Sequence, residues 1–181
     1  ITGVKENDKI LEIGCGWGGF SAFLAKRYSA NVTAITISKK QYEKAKQKIY
    51  EDKLTEKVDV KLLDYRNING KYDKIVSIEM FEAVGEKYWS KYFDVLKKNL
   101  KSDGSIGLQT ITIEDKFFQK YKKFPDFIQT YIFPGGMLPS VEEMDKVITS
   151  KGLHITNKTM FGNDYAKTIR IWSESFENSW G

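Results

Sequence analysis

The sequence is poor in cysteine and histidine. It has one of each, Cys15 and His154, among 181 residues. A single cysteine excludes an internal disulfide and is typical of a reducing compartment, so we expect a cytoplasmic protein. No metal site is predicted. We interpret His154 as a structural residue and Cys15 as a small packing residue rather than a nucleophile.

Long apolar runs are also missing. No run approaches the roughly 18 residues that a membrane-spanning helix needs. No secretory signal is visible, although the chain opens on Ile1 rather than Met. With 41% hydrophobic and 29% charged residues, the composition suits one soluble domain over residues 1–181. The net charge of +5 favours an anionic partner, either nucleic acid or an anionic lipid surface.

Strand-like and helix-like segments alternate over the first 113 residues. The predicted strands are 9–14, 31–37, 58–63, 72–78 and 105–113, and the predicted helices are 20–28, a helix after Ser38, and 87–100. Such alternation predicts a parallel sheet with right-handed crossovers. Ser38 and Gln41 predict a capping box. Beyond an insertion at 114–139, we predict a helix at 140–152, a strand at 153–160 and a helix at 164–180.

Proline is scarce, and all three prolines lie between residues 125 and 139. Two of them belong to "YIFPGGMLPS", residues 131–140, where they flank a pair of glycines. Proline fixes φ and glycine admits positive φ, so together they specify a shaped loop. On its own, this segment fits either a connecting loop or the wall of a binding site.

A glycine-rich segment, "LEIGCGWGG", joins the first predicted strand to the first helix. Glycines at the carboxyl end of a strand let a ligand approach the backbone closely. The spacing of Gly14, Gly16 and Gly19 fits a dinucleotide site, which also wants an acidic residue at the end of the second strand. That strand ends in Thr36 and Ile37, without a carboxylate. With Glu12, the loop instead has the E-x-G-x-G-x-G form of S-adenosylmethionine sites, and we favour that cofactor over NAD.

Several segments occur in the order and spacing of one lipid-modifying family. They are "LEIGCGWGGF", "TAITISKKQ", "DYR", "IVSIEMFEAVG", "QTITI", "YIFPGGMLPS" and "DYAKTIRIW". Over nearly all its length the chain resembles the cyclopropane-fatty-acyl-phospholipid synthase family. The resemblance implies a Rossmann-like α/β methyltransferase fold with a mostly parallel sheet flanked by helices and a lipid-facing segment inserted after strand 5. It also implies N-terminal helices and a final antiparallel strand, which we do not find in this sequence.

The resemblance implies a set of cofactor contacts. Glu12 supports the amino group of S-adenosylmethionine, the glycine loop follows its methionine part, Thr36 and Gln41 meet the ribose, and the segment after strand 3 cradles adenine. The residues predicted to bind the cofactor are Glu12, Gly14, Cys15, Gly16, Trp17, Thr36, Ile37, Gln41, Asp64, Tyr65 and Arg66.

The implied reaction is methyl transfer to the double bond of an unsaturated phospholipid acyl chain. Positive charge builds up on the acyl chain, which calls for a dry site of negative or π character. A base then removes a proton so that the ring closes. In the family this base is bicarbonate, and the resemblance assigns Glu82, the Ile111 backbone and Tyr165 to it. Gln109 stands where many members have histidine. It can donate a hydrogen bond but does not titrate, so methyl transfer without ring closure stays open.

The insertion is assigned to the lipid. The resemblance implies an acyl-chain site that includes Tyr131, Phe133, Gly135 and Gly136. The stretch "DKFFQKYKKF", 115–124, interleaves lysines with aromatic residues that include Phe118. Such a mixture suits an anionic bilayer or single-stranded nucleic acid. With the resemblance, it favours an unsaturated phospholipid at a membrane surface, peripheral membrane association and no nucleic acid.

Three other functions compete with this prediction. A methyltransferase of the same fold would act on nitrogen or carbon of a small molecule. A non-catalytic nucleic-acid-binding module would use the basic face alone and have no need of Glu82 or Tyr165. An NAD oxidoreductase is disfavoured by Thr36, which stands where an acidic residue should be.

Overall fold

The fold is built on a five-stranded parallel sheet. The computed structural model describes residues 3–180. The strands are β1 (Lys9–Ile13), β2 (Asn31–Thr36), β3 (Val58–Leu62), β4 (Tyr72–Ile78) and β5 (Leu100–Gln109). Their order in the sheet is β3-β2-β1-β4-β5, and every neighbouring pair is parallel. The order runs outward from β1 in both directions, so ligands are expected at the crevice beside the ends of β1 and β4. The predicted α/β fold is confirmed.

Helices flank the sheet. They are α1 (Gly19–Tyr28), α2 (Lys39–Glu51), α3 (Trp89–Asn99), α4 (Asp115–Lys123), α5 (Val141–Ser150) and α6 (Gly162–Asn178). Alternate residues of β1 join two separate core clusters. Ile10 belongs to the cluster that includes Leu24 of α1, whereas Leu11 belongs to the cluster that includes Phe93 of α3. This alternation places Glu12 on the same face as Ile10, toward α1.

The fifth strand differs from its prediction at both ends. It begins at Leu100, because the segment predicted to end the preceding helix forms an irregular stretch of strand. Tyr72 pairs with Leu100 but Lys74 pairs with Ser105, so β5 carries extra residues between two closely spaced positions of β4. Gly104 permits this bulge, since a Cβ there would lie 2.9 Å from the carbonyl oxygen of Asp73. The strand ends at Gln109, residues 110–112 follow it as loop, and Ile113 forms an isolated parallel bridge with Ser140.

One further prediction was wrong, and another was confirmed only in part. Residues 153–160 form no strand, because they pair with no other described segment and lie largely exposed, His154 among them. The capping box is only half formed. The Ser38 hydroxyl accepts the backbone N–H of Gln41 at 3.3 Å, but the Gln41 side chain turns away to Thr36. The Ser38 N–H donates instead to the Thr36 hydroxyl at 3.1 Å.

The helix predicted over 164–180 is present as α6. The side chains predicted to share one of its faces, Ile169, Trp172 and Phe176, are exposed. None of the helices within residues 3–180 combines the length and the apolar character needed to cross a membrane.

Candidate active site

The glycine loop and the end of β4 meet at the crevice. Gly14 has a φ of 80°, and a Cβ there would lie 2.7 Å from Cγ of Met80, which follows β4 by two residues. Glycine is therefore required both by the backbone conformation and by the close approach. The N–H groups of Gly14 and Cys15 both donate to the carbonyl of Ile35, at 3.0 and 2.9 Å. These bonds hold the loop across the ends of β1 and β2.

Glu12 provides a buried carboxylate beneath this loop. Its side chain faces α1, where Oε2 accepts a hydrogen bond from the Ser21 hydroxyl, and only 3% of the residue is exposed. Burial raises the pKa of Glu12 to about 7, although the bond from Ser21 opposes the shift. A carboxyl group whose pKa lies near neutral pH is readily ionised by a nearby cation, such as the ammonium group of a bound ligand.

Cys15 is buried within the glycine loop, whereas Trp17 is exposed. Burial, and then the charge of Glu12, raise the pKa of the Cys15 thiol to about 12. The thiol therefore stays protonated, as expected of a packing residue. Trp17 is 59% exposed and lines an open groove whose other walls are Lys40, Lys44 and Lys48 of α2.

The ends of β2 and β3 carry the residues predicted for ribose and adenine. The Thr36 hydroxyl donates to Oε1 of Gln41 at 2.7 Å, so the structure brings these two side chains together. Ile37, beside them, is exposed. After β3, the Asp64 carboxylate accepts from Nε and Nη2 of Arg66 at 2.9 and 2.6 Å. This pairing lowers the pKa of Asp64. A hydrogen bond from adenine to Asp64 would therefore compete with Arg66.

Tyr65 lies between the exposed edge and the core. Its ring packs edge-on against Tyr92 of α3, with centroids 5.3 Å apart. Burial raises the pKa of Tyr65, so its hydroxyl is protonated at neutral pH. The aromatic face is thus fixed by packing while the segment around it stays accessible.

Glu82 occupies a central position on the other side of the crevice. It lies in a short 3-10 turn, Phe81–Ala83, that follows β4. Its Oε1 accepts the N–H of Ile111 at 2.6 Å. Its Oε2 is buried and has no hydrogen-bond partner among residues 3–180. A buried carboxylate oxygen without a partner is a candidate contact for a ligand.

Glu79 is the site residue that the sequence analysis missed. It directly follows β4 and has a φ of 50°, which is rare for a residue with a side chain. Its Oε1 accepts Nε2 of Gln109 at 3.0 Å, and its Oε2 is 3.5 Å from the hydroxyl of Tyr165 on α6. Gln109 and Tyr165 are thus brought together through Glu79. The sequence did contain a hint of this residue, because Glu79 is the first of two glutamates in "IEMFEAVG" and directly follows the predicted strand 72–78.

The Pro-Gly-Gly segment is attached to Glu82. The N–H of Met137 donates to the Glu82 carbonyl at 2.8 Å. A Cβ on Gly136 would lie 3.0 Å from the Phe133 carbonyl and 3.5 Å from the Glu82 carbonyl, so this approach favours glycine. Gly135 has a φ of 82°. The aromatic residues predicted for the acyl site, Tyr131 and Phe133, are exposed, Tyr131 by 71%.

The aromatic and basic helix α4 has two faces. Phe118 is 2% exposed and packs on Trp89, so its assignment to the lipid-facing surface was wrong. Phe117 and Phe124 are exposed as predicted. Lys122 is held by Glu86 at 2.5 Å, which anchors the helix to the turn before α3.

Comparison with known proteins settles the family. The sequence model of the family described as mycolic acid cyclopropane synthetase matches residues 2–181. The chain belongs to this family. Among its curated relatives, the tuberculostearic acid methyltransferase UfaA1 of Mycobacterium tuberculosis is 36% identical over 97% of this chain and 41% of that protein. The cyclopropane-fatty-acyl-phospholipid synthase of Escherichia coli is 36% identical over 98% of this chain and 44% of that protein.

A solved structure of a family member agrees with the fold. Mycolic acid cyclopropane synthase CmaA1, crystallised with SAH and CTAB, superposes with a TM-score of 0.91 at 29% identity, covering 99% of this chain and 66% of that one. The architecture is therefore that of the S-adenosylmethionine-dependent methyltransferases. The chain spans less than half the length of the first curated relatives it matches, 41 to 45%.

Proposed function

We propose that this protein transfers a methyl or methylene group from S-adenosylmethionine to the double bond of an unsaturated phospholipid acyl chain. The product is a cyclopropane or methyl-branched fatty acid. The observation that carries this proposal is the junction at Glu82. Its side chain bonds to the Ile111 N–H and its main chain bonds to the Pro-Gly-Gly segment, within the crevice that the glycine loop borders. Relatives that modify fatty acids support the substrate class.

The residues of the loop fit S-adenosylmethionine. Glu12 offers a buried carboxylate for the ammonium group, and a Cβ on Gly16 would meet no atom within 4 Å, so the loop surface is open there. The paired side chains of Thr36 and Gln41 offer a hydroxyl and an amide to the ribose. When bound, S-adenosylmethionine supplies an electrophilic methyl group. The protein's part is to orient it against the acyl chain and to exclude water.

The acidic side of the crevice suits a reaction that builds positive charge. The exposed Glu79 and the half-buried Glu82 face it, and carboxylates stabilise developing positive charge once a bound substrate excludes water from them. Burial, and then the charge of Glu79, raise the pKa of Tyr165, so its phenol remains protonated and donates. The family resemblance places a bicarbonate base beside Glu82, but two of the groups that would also hold the ion, Gln109 and Tyr165, donate to Glu79 in this structure.

A lipid-facing surface lies next to the crevice. We define it as the exposed aromatic residues and lysines of 116–133, which are Lys116, Phe117, Lys120, Lys122, Lys123, Phe124, Phe127, Tyr131 and Phe133. An exposed cluster of this kind favours an anionic membrane interface, at about 1 kcal/mol per nearby cation. We therefore propose peripheral association with the membrane that holds the substrate.

Mass spectrometry of lipids tests the proposal. The full-length protein is expressed in bacteria that lack cyclopropane fatty acids, with Glu82→Gln as the matched inactive control. We expect unsaturated acyl chains to gain one CH₂ unit with the native protein only. No gain from a folded protein that binds S-adenosylmethionine would refute the lipid substrate and favour a small-molecule methyltransferase. The form of the added carbon separates a ring from a branch.

A further inference from the structure

We propose that Glu79 is the catalytic base of this enzyme, a side-chain carboxylate that takes the place of a bound bicarbonate ion. This inference rests on the proposed function, because it assigns the proton acceptor of that reaction. It concerns a residue with no role in the predicted site.

Glu79 lies directly after β4, where its side chain is exposed and open to a ligand. Its N–H donates to the carbonyl of Gln109 at 2.9 Å, which fixes its backbone at the ends of β4 and β5. The next residue, Met80, packs against Gly14 in the glycine loop. Glu79 is therefore one residue away from the contact between Met80 and the loop that would hold the methyl donor.

The backbone of Glu79 is strained. A φ of 50° places a residue with a Cβ in the left-handed region, which is unfavourable for any residue with a side chain. Glycine would remove this cost. Strain of this kind persists where the surrounding structure enforces it, and it is concentrated at functional sites. Here it directs a carboxylate toward Gln109 and Tyr165.

The donors that would bind an external anion are already engaged by the chain's own carboxylates. Gln109 and Tyr165 donate to the two oxygens of Glu79, at 3.0 and 3.5 Å. The third predicted donor, the Ile111 N–H, donates to Glu82 at 2.6 Å. A bicarbonate ion would have to displace these bonds and approach two carboxylates. Like charges at such distances disfavour binding. A glutamate carboxylate and bicarbonate present the same pair of basic oxygens, so Glu79 supplies the function without the ion.

The proton transfer balances with the groups named. Methyl transfer to one alkene carbon leaves a cation on its neighbour. A C–H bond of the new methyl group breaks, its proton goes to a carboxylate oxygen of Glu79, and its electron pair forms the second C–C bond that closes the ring. When the proton is taken from a chain carbon beside the cation, the same pair forms a double bond instead. Glu79 then returns the proton to solvent. Gln109 and Tyr165 orient the carboxylate without taking part in the bond changes.

Two substitutions of Glu79 test the proposal in the full-length protein. Glu79→Gly removes the carboxylate, relieves the backbone and opens space for a small anion. Glu79→Gln removes the charge but fills the space. In bicarbonate-free buffer we expect both to lose about 10²–10⁴-fold in turnover, the usual contribution of a general base. Added bicarbonate, formate or acetate should restore Glu79→Gly, more effectively with increasing basicity of the anion, and should not restore Glu79→Gln. The native protein should be unaffected by bicarbonate.

A readout that needs no turnover accompanies these assays. Binding of ¹³C-bicarbonate, followed by NMR, should be seen with Glu79→Gly and not with the native protein, while affinity for S-adenosylmethionine stays within about twofold. Lys53→Gly is the matched control, because Lys53 also has a positive φ, 57°, in a turn far along the chain from the site. It should gain stability without changing turnover or bicarbonate binding.

The outcomes separate this inference from the proposed function. Bicarbonate binding by the native protein, a bicarbonate requirement for its turnover, or a Glu79→Gly variant that no carboxylate restores would each overturn the role of Glu79. If no lipid is modified by any form, the proposed function fails. The ¹³C-bicarbonate experiment still tests the claim that Glu79 holds the place of the anion.

Discussion

The two sides of the crevice are built in different ways. On the cofactor side, the glycine loop is fastened to the backbone of β2, and Glu12 is buried beneath it. On the side proposed to bind the substrate, residues 124–133 expose most of their aromatic and aliphatic side chains. A ligand held at fixed distances requires a backbone with one conformation, whereas a mobile acyl chain requires apolar surface. Hydrogen bonds fix the backbone conformation of the glycine loop, and the apolar side chains of residues 124–133 provide the apolar surface.

The largest expected effect is on the cofactor side, at Gly14. Gly14→Ala places a Cβ 2.7 Å from Met80 and adds an unfavourable φ. We expect the free energy of unfolding to fall by about 3 kcal/mol, from strain and overpacking together. Affinity for S-adenosylmethionine, measured by calorimetry, should fall at least roughly tenfold, equivalent to about 1.4 kcal/mol.

Gly16→Ala is the control for that change. Gly16 also has a positive φ, 52°, but a Cβ there meets nothing within 4 Å. Its free energy of unfolding should fall only by the cost of the backbone strain, about 1 kcal/mol. Equal losses in the two variants would contradict the importance of the contact with Met80.

The next effect is a pH dependence caused by Glu12. Its pKa is raised from 4.5 to about 7 in the folded protein, so the folded state binds more protons than the unfolded state between these values. The free energy of unfolding of the ligand-free protein should therefore fall as pH rises from about 4.5 to 7, by about 3 kcal/mol from this group alone. Denaturant titrations at several pH values measure it. Glu12→Gln should remove this slope, and an identical slope in that variant would refute the assignment.

A smaller effect is expected on the substrate side. Lys120→Glu combined with Lys123→Glu reverses two exposed charges of the lipid-facing surface. Binding to vesicles of anionic phospholipid, measured by co-sedimentation, should weaken by at least about 2 kcal/mol, or roughly 30-fold. Lys40→Glu with Lys44→Glu makes the same charge change on α2 and should have little effect. A comparable loss from the α2 variant would show that the membrane does not distinguish the two sides.

The smallest effect concerns the end of β2. Thr36→Val removes the hydroxyl that accepts the Ser38 N–H and donates to Gln41. We expect a loss of about 1 kcal/mol in the free energy of unfolding. Ser38→Ala, which removes the cap of α2, should cost about as much. Only Thr36→Val should also weaken S-adenosylmethionine binding, by a few fold. An unchanged affinity would argue against a ribose contact.

Local patterns predicted the cofactor side well. The strand before the glycine loop and the helix after it follow from neighbouring residues, so β1, α1 and the loop were predicted nearly as found. The prediction of a strand at 153–160 was wrong because β-branched residues form a strand only when a neighbouring strand pairs with them. Phe118 was misassigned because the aromatic residues of one short helix divide between core and surface, and only packing against Trp89 decides which.

The proposed role of Glu79 could not be predicted from local sequence patterns. Its carboxylate meets Tyr165, which lies 86 residues further along the chain, and its φ is enforced by tertiary structure. No spacing rule connects those two residues. The family resemblance supplied Glu82 and Tyr165 but not the side chain between them.

The attachment of the Pro-Gly-Gly segment to Glu82 has an evolutionary consequence. The segment is held through a main-chain carbonyl and the N–H of Met137, a bond that does not depend on side-chain identity. Side chains along the segment can therefore diversify while the main-chain bond to Glu82 is kept. Under the proposed function, selectivity for chain length or head group and the chemistry at the double bond can thus change independently in descendants of one ancestral enzyme.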